Sequence, residues 1–464
     1  MIRSVPRFLP SATLAALPFA LLAACSTATP AESPEADGGA IATDAGSDAS
    51  VDAAVDASVD AAVDAALPAD AGRGDSGLSD ASLPVDAGID AADGSSDAGV
   101  VIDLYDPAIV PKFELTLAPD AIAILSSTAT ADQKTWVHGT FRYGGNEVLD
   151  VGIRRKGSST FRALPGKASL KVRFDKYVNG QTFAGLHELT LNNMVSDETG
   201  LAERLSYHLF RAAGLPAQRA NSATVAINGD NYGLYANIET PNKDFIKRAF
   251  GANAKTLYEA DYGQWIPNDG SYSEEVGDGT KADLTALFAA VAATTDANLP
   301  NSVAANLDVT EWLRFSAAEG VIGDRDGYAF SIYSSHNYFL AGNTNGVLSL
   351  VPWSLDLTFE DNPRVIVTAP KPAYPTGEPT LLKRCKQSAA CWATYKAQVS
   401  SVLQVFQTQN LGALAQTWHA QIDGYQRNDP KRESTISTYD AETNNLYAWI
   451  AARPAVVTAQ LAAP

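Results

Sequence analysis

The stretch Gly320–Glu360, GVIGDRDGYAFSIYSSHNYFLAGNTNGVLSLVPWSLDLTFE, governs how the rest of the chain is read. An acidic turn containing Asp324 and Asp326 leads through apolar residues to Asn337 and Tyr338. An apolar strand, VLSLVPW, then delivers Asp356. Phosphoryl transfer with a divalent metal uses such a set: an acceptor-side carboxylate, an amide oxygen and a second carboxylate. The metals take hard oxygen ligands and bridge the phosphates. Eleven positions separate Asp326 from Asn337, a wider gap than the standard kinase loop has. On spacing alone, two turn aspartates and an asparagine at a strand end, placed for backbone reasons, fit the same residues.

The run DGY…HNYFL…VPWSLDLTF resembles the signature of the CotH-like kinase family, in which an Asp-containing turn precedes HN-[YF]-Y and P-W-D-x-D-x-T-F. Two further blocks are similar and stand in family order. One comprises GIRRKGSST (Gly152–Thr160), GKASLKVRF (Gly166–Phe174), LHELTLNN and ERLSYHLFRAAGLPA; the other is VAINGDNYGLYANIET (Val225–Thr240). The resemblance implies an α+β, two-lobed atypical protein-kinase-like fold. Its antiparallel-sheet N-lobe would span about 109–240 and its mostly helical C-lobe about 241–464. It also implies ATP as substrate and Mg²⁺ or Mn²⁺ as cofactor. Asn337 and Asp356 would hold the metal, and Asp326, with Asp324 in reserve, would face the acceptor hydroxyl. One departure stands out: Ser354 occupies the place of the first Asp in P-W-D-x-D.

The nucleotide end is read from the KGSST loop. Gly157 lets backbone approach anionic oxygens, and Ser158 and Ser159 offer donors, although a polar hairpin turn explains the same residues. Lys167, Lys171 and Arg173 fall at period two and are expected on one strand face. Family alignment puts the phosphate-contacting lysine at Lys167, with Lys171 the runner-up. Glu203, on the helix that follows, is its expected counter-ion, or else an ordinary surface Glu. Arg154 and Lys156 either neutralise phosphate or sit at a strand edge. Glu239 either binds ribose or base at the hinge between lobes or caps a turn. The five histidines show no metal-ligand spacing, and neither G-x-S-x-G nor H-E-x-x-H occurs.

Alternation predicts strands in FELTLA, TWVHGTFRY, EVLDVGIRRKG and ASLKVRF, and a hairpin about Asn228–Gly229. Leu201, Leu205, Leu209 and Ala212 predict one face of a helix that Gly214 and Pro216 stop. LTALFAAVAAT, VTEWLRFSAAEGVIG and the segments after Ala389 predict the helical half.

The first 25 residues read as an export signal, with Arg3 and Arg7 before an apolar core too short to span a bilayer. LLAAC resembles a bacterial lipobox, which makes Cys25 the expected lipidation site and the cell envelope the expected location. Ser26 after it points, by analogy with lipoprotein sorting, to the outer membrane. Residues 26–108 form an Ala/Asp/Gly/Ser tract with 18 acidic residues against one basic, Arg73, and are expected to be a disordered tether. That tract accounts for most of the net charge of −19. No basic stripe interleaved with aromatics is present, so a nucleic-acid partner is not expected. Cys385 and Cys391, six apart in an exported chain, are expected to form a local disulfide. The expected partners are a nucleotide, a protein or envelope-polymer acceptor, and a membrane reached through the lipid. The rival reading keeps the fold as a surface binding protein without turnover.

Overall fold

The computed structural model describes residues 102–260, 272–331, 335–360 and 379–463. Cys25 and nearly all of the expected tether lie outside them. The first half is built from β-rich alternation: β1 (Lys112–Leu117), β2 (Val137–Tyr143), β3 (Asn146–Lys156), β4 (Ser169–Arg173), β5 (Glu188–Asn192), β6 (Ala220–Ile227) and β7 (Asp230–Glu239). These close into a barrel in the order β1-β2-β3-β4-β5-β7-β6. Its neighbours are antiparallel except β1 and β6, which run parallel with Phe113 opposite Val225. The closure could not be read from the strand pattern, because it joins the first strand to one more than a hundred residues later. Asn228, at φ 51 in the Asn-Gly turn, extends it by exchanging two hydrogen bonds with the backbone of Leu117.

Period two decides what the barrel keeps inside. Val151, Ile153, Leu170, Val172, Leu189 and Leu191 are fully buried in its core, each burial stabilising by about 1.5–3 kcal/mol. Their neighbours Arg154, Lys156, Lys171, Thr190 and Asn192 alternate onto the outer face. Residues 104–107, assigned above to the tether, belong to the fold. Leu104 and Tyr105 are buried, and the carbonyls of Leu104, Asp106 and Pro107 accept hydrogen bonds from Asn237, Asn221 and Arg204. Leu104 and Tyr105, packed into the barrel core, dock that short segment.

The helices are α1 (Pro119–Ser126), α2 (Ala202–Ala212), α3 (Lys243–Phe250), α4 (Ala282–Ala293), α5 (Leu299–Val303), α6 (Val309–Ile322), α7 (Thr380–Gln387), α8 (Ala389–Thr408), α9 (Leu411–Arg427) and α10 (Ile436–Ala462). The second half also contains strands: β8 (Ala254–Ala260), β9 (Tyr272–Val276), β10 (Tyr338–Asn343) and β11 (Leu348–Pro352), in an antiparallel sheet ordered β11-β10-β8-β9. Helix α2 is buried nearly all round rather than along one stripe, although Ala212, placed on the apolar face above, is exposed. Two of its polar side chains find partners: Ser206 meets Thr358 at 2.9 Å, and Arg204 lies 4.1 Å over the Trp418 ring while bonding Gln421. Cys385 and Cys391 are joined by a disulfide across the α7–α8 junction, with Cα atoms 5.2 Å apart. No helix among the described residues is long and apolar enough to cross a membrane.

Candidate active site

The acidic turn is positioned by α6. Gly323, at φ 71, ends the helix, and the Asp324 N–H caps back onto the Glu319 carbonyl at 2.9 Å. The Glu319 carboxylate, buried on the same helix, accepts the N–H groups of Tyr328 (2.8 Å) and Ala329 (2.6 Å), so the turn is folded around it. A Cβ at Gly327 would come within 2.4 Å of both the Asp324 and Glu319 carboxylates, so a larger residue there would have to displace them. Burial pushes Glu319 up to about 8. Burial, and then the charge of Glu319, raises Asp324 well above the carboxylate range. Asp324 is thus an internal brace, accepting the Asp326 N–H at 2.9 Å.

Asp326 is the less buried member of the pair, its side chain 16% exposed. Asn337, at φ 57 just before β10, donates its side-chain nitrogen to the Asp326 carbonyl (2.9 Å) and carboxylate (3.1 Å). His336 Nε2 lies 3.2 Å from the other Asp326 oxygen. The chain after β11 returns alongside: Trp353 N–H donates to the Asn337 carbonyl at 3.1 Å, and Arg325 N–H to the Leu357 carbonyl at 3.2 Å. Between these anchors Ser354, at φ 53, donates its hydroxyl to Asp356 at 3.0 Å. Burial foremost raises the Asp356 carboxyl, with the charge of Asp326 adding to it while the Ser354 hydrogen bond opposes. Asp326, Asn337 and Asp356 are therefore gathered in one place.

The outer face of the barrel supplies the other wall. Lys156, the last residue of β3, donates to Asn192 Oδ1 at 2.6 Å and lies 5.1 Å from the Trp353 ring centroid. Asn192, the last residue of β5, donates its nitrogen to both carboxylate oxygens of Glu203 on α2, at 2.9 and 3.1 Å. Burial pulls the Lys156 ammonium down, and the charges of Glu203 and Asp356 hold it up. Burial, and then the charge of Asp356, raises the Glu203 carboxyl, while the hydrogen bonds from Asn192 and the charge of Lys156 favour its ionised form. Lys156, Glu203 and Asp356 thus lie within each other's fields. Asp197 stiffens the approach to α2 by accepting the N–H groups of Thr199, Gly200 and Ala202. A cleft of about 610 Å³ adjoins the site, lined by Asp197, Asp356, Phe359, Glu442 and Trp449 among others.

The remaining candidates go elsewhere. Strand β4 begins at Ser169, so Lys167 precedes it and does not share a face with Lys171 and Arg173. Its ammonium pairs with Asp429 at 2.5 Å, the two side chains 4% and 0% exposed. Lys171 lies 3.2 Å from Glu188. Glu239 is buried and held by the part-exposed guanidinium groups of Arg219 (2.9 Å) and Arg248 (2.7 Å). Arg154 is buried, 4.8 Å from the Trp136 ring centroid. Ser158 and Ser159 are exposed on the loop after Lys156, where Gly157 adopts φ 105. Sequence reasoning did not single out Asn192, Glu319, Asp197 or Asp429. Only the asparagine pair ending LHELTLNN offered a visible cue.

Residues 153–457 match the model of the family described as CotH kinase protein. The chain belongs to the CotH kinase protein family. It is 24% identical over 318 residues to inner spore coat protein H of Bacillus subtilis (strain 168), covering 65% of this chain and 84% of that protein. It is also 24% identical over 304 residues to the inner spore coat protein H-like protein of the same strain, covering 65% and 88%. Among solved structures, the Helicobacter pylori proinflammatory kinase CtkA aligns at 8% identity and a TM-score of 0.30, covering 66% of this chain and 96% of that one. The Shewanella oneidensis HipA–HipB–operator complex contributes a match at 14% identity and TM-score 0.27, covering 73% and 67%. TM-scores this low do not establish a common fold, and the family assignment rests on the sequence match.

Proposed function

We propose that this CotH-family chain is a metal-dependent phosphotransferase that moves the γ-phosphoryl group of ATP to a protein hydroxyl, within a kinase-like two-part fold. One observation carries the reading: Lys156, Glu203, Asp326, Asn337 and Asp356, drawn from three distant segments, face a single site. Among the described residues no three Asp, Glu, His or Cys side chains form a metal cage. The donors present suit Mg²⁺ or Mn²⁺ nonetheless, because such ions take one or two carboxylates and complete their shell with phosphate oxygens. Asp356 and the Asn337 amide oxygen, which stands outside the bond to Asp326, would hold the ion. When bound, the ion neutralises charge on the phosphate oxygens. Lys156, at the point where Lys167 was expected, binds the phosphates and is steered by Glu203. The exposed Ser158–Ser159 loop beside it offers further donors. Asp326, oriented by Asn337 and His336, accepts or aligns the acceptor hydroxyl. We further propose that lipid on Cys25 tethers the domain to the cell envelope, at the outer membrane, through residues 26–101.

Ser354 favours a second reading, a surface binding protein without turnover, since a hydroxyl stands where the family pattern carries a carboxylate. Thermal denaturation with ATP and Mn²⁺ separates the two: a ligand that binds only the folded state raises its melting temperature. A rise that requires metal supports the phosphotransferase. No rise with ATP and either metal would favour the binding protein.

A further inference from the structure

We propose that Asn192 is a positioning residue: a neutral amide placed between Lys156 and Glu203 that aims the ammonium into the site without neutralising it. The inference rests on the phosphotransferase reading. A carboxylate only accepts hydrogen bonds and an ammonium only donates them. The amide therefore has one workable orientation, nitrogen to Glu203 and oxygen to Lys156, and the observed contacts follow it. Lys156 and Asn192 end strands β3 and β5, with β4 between them, so the lysine reaches across β4 to make the bond. Among the described residues Asn192 is its one hydrogen-bond acceptor, which leaves two of its three N–H donors for phosphate oxygens. A direct ion pair with Glu203 would hold the ammonium by a full charge that phosphate would have to displace. The amide spacer removes that competition and keeps the steering.

The test uses the wild-type chain and measures the dissociation constant for ATP with Mn²⁺, alongside melting temperature without ligand. Asn192→Ala is expected to weaken binding about tenfold, as losing a hydrogen bond to a charged group would. If Asn192 acts through Lys156, adding Asn192→Ala to Lys156→Ala costs nothing more, whereas a residue that merely supports the fold gives additive losses. Asn192→Asp keeps the shape, serves if the alanine variant does not fold, and should weaken binding because the new charge competes with phosphate. Wild-type affinity in either folded variant, or additive losses in the double variant, would overturn the proposal while leaving the phosphotransferase reading intact. Failure of the wild type itself to bind ATP with Mn²⁺ would overturn both.

Discussion

Lys167, the lysine that family alignment puts at the phosphates, is instead buried against Asp429, while Lys156 lies in the fields of Glu203 and Asp356, and the reason is local. Pattern matching fixes a strand to within a few residues, while a side chain's face depends on single-residue register. With β4 starting at Ser169, Lys167 is left in the preceding turn. There it meets Asp429, which also accepts the Leu234 and Lys431 N–H groups and packs so closely on Gly233 (φ 86) that a Cβ would fall 1.9 Å from it. A partner 262 positions away leaves no mark in a local pattern. Lys167→Ala is accordingly expected to cost about 3 kcal/mol of stability, because it strands a buried carboxylate. Chemical denaturation checks this, and wild-type stability would contradict it. Lys156→Ala should do the reverse, weakening ATP binding with little change in the unfolding midpoint. Glu203 was expected to face Lys167 or solvent; it is buried and linked to Lys156 through the Asn192 amide, which no local pattern discloses.

Elements were easier to read than contacts. Strands β1 to β4, the Asn-Gly hairpin of β6 and β7 and helix α2 stand within a few residues of where alternation and turn residues put them, whereas β5 was not read as a strand. The four-stranded sheet of the second half was largely missed. Its strands β8 and β9 are short and scattered among helices, and only VLSLVPW was read as extended. The burial of α2 on nearly every side was also not visible, since Glu203, Arg204 and Ser206 look like solvent-facing residues until their partners are known. The start of α2 depends on Asp197, whose carboxylate takes up three backbone N–H groups. Asp197→Ala should cost about 1–3 kcal/mol, the usual penalty for leaving buried N–H groups unpaired. Because Glu203 follows within the first turn, it should also weaken ATP binding. A variant destabilised by that amount but binding ATP normally would show that α2 does not need this anchor to present Glu203.

Across the molecule, buried carboxylates that hold their protons should govern the pH response. Glu319 is pushed up to about 8 in the folded state, against about 4.3 for an ordinary Glu in an unfolded chain. Between those values the folded form holds a proton that the unfolded form has released, so stability falls as pH rises through that window. Melting temperature should drop between about pH 5 and pH 8, and Glu319→Gln should shrink the drop; an unchanged slope would argue against a protonated Glu319. The central claim is that barrel and second sheet together form a metal-dependent ATP site. Calorimetric titration with ATP in the presence and absence of Mn²⁺, on wild type, Asp356→Asn and Asp326→Asn, tests it most directly. The account predicts metal-dependent binding by wild type, its loss in Asp356→Asn, and its near-complete retention in Asp326→Asn, whose carboxylate serves the acceptor. Undiminished binding in Asp356→Asn, or no metal-dependent binding in wild type, would contradict it.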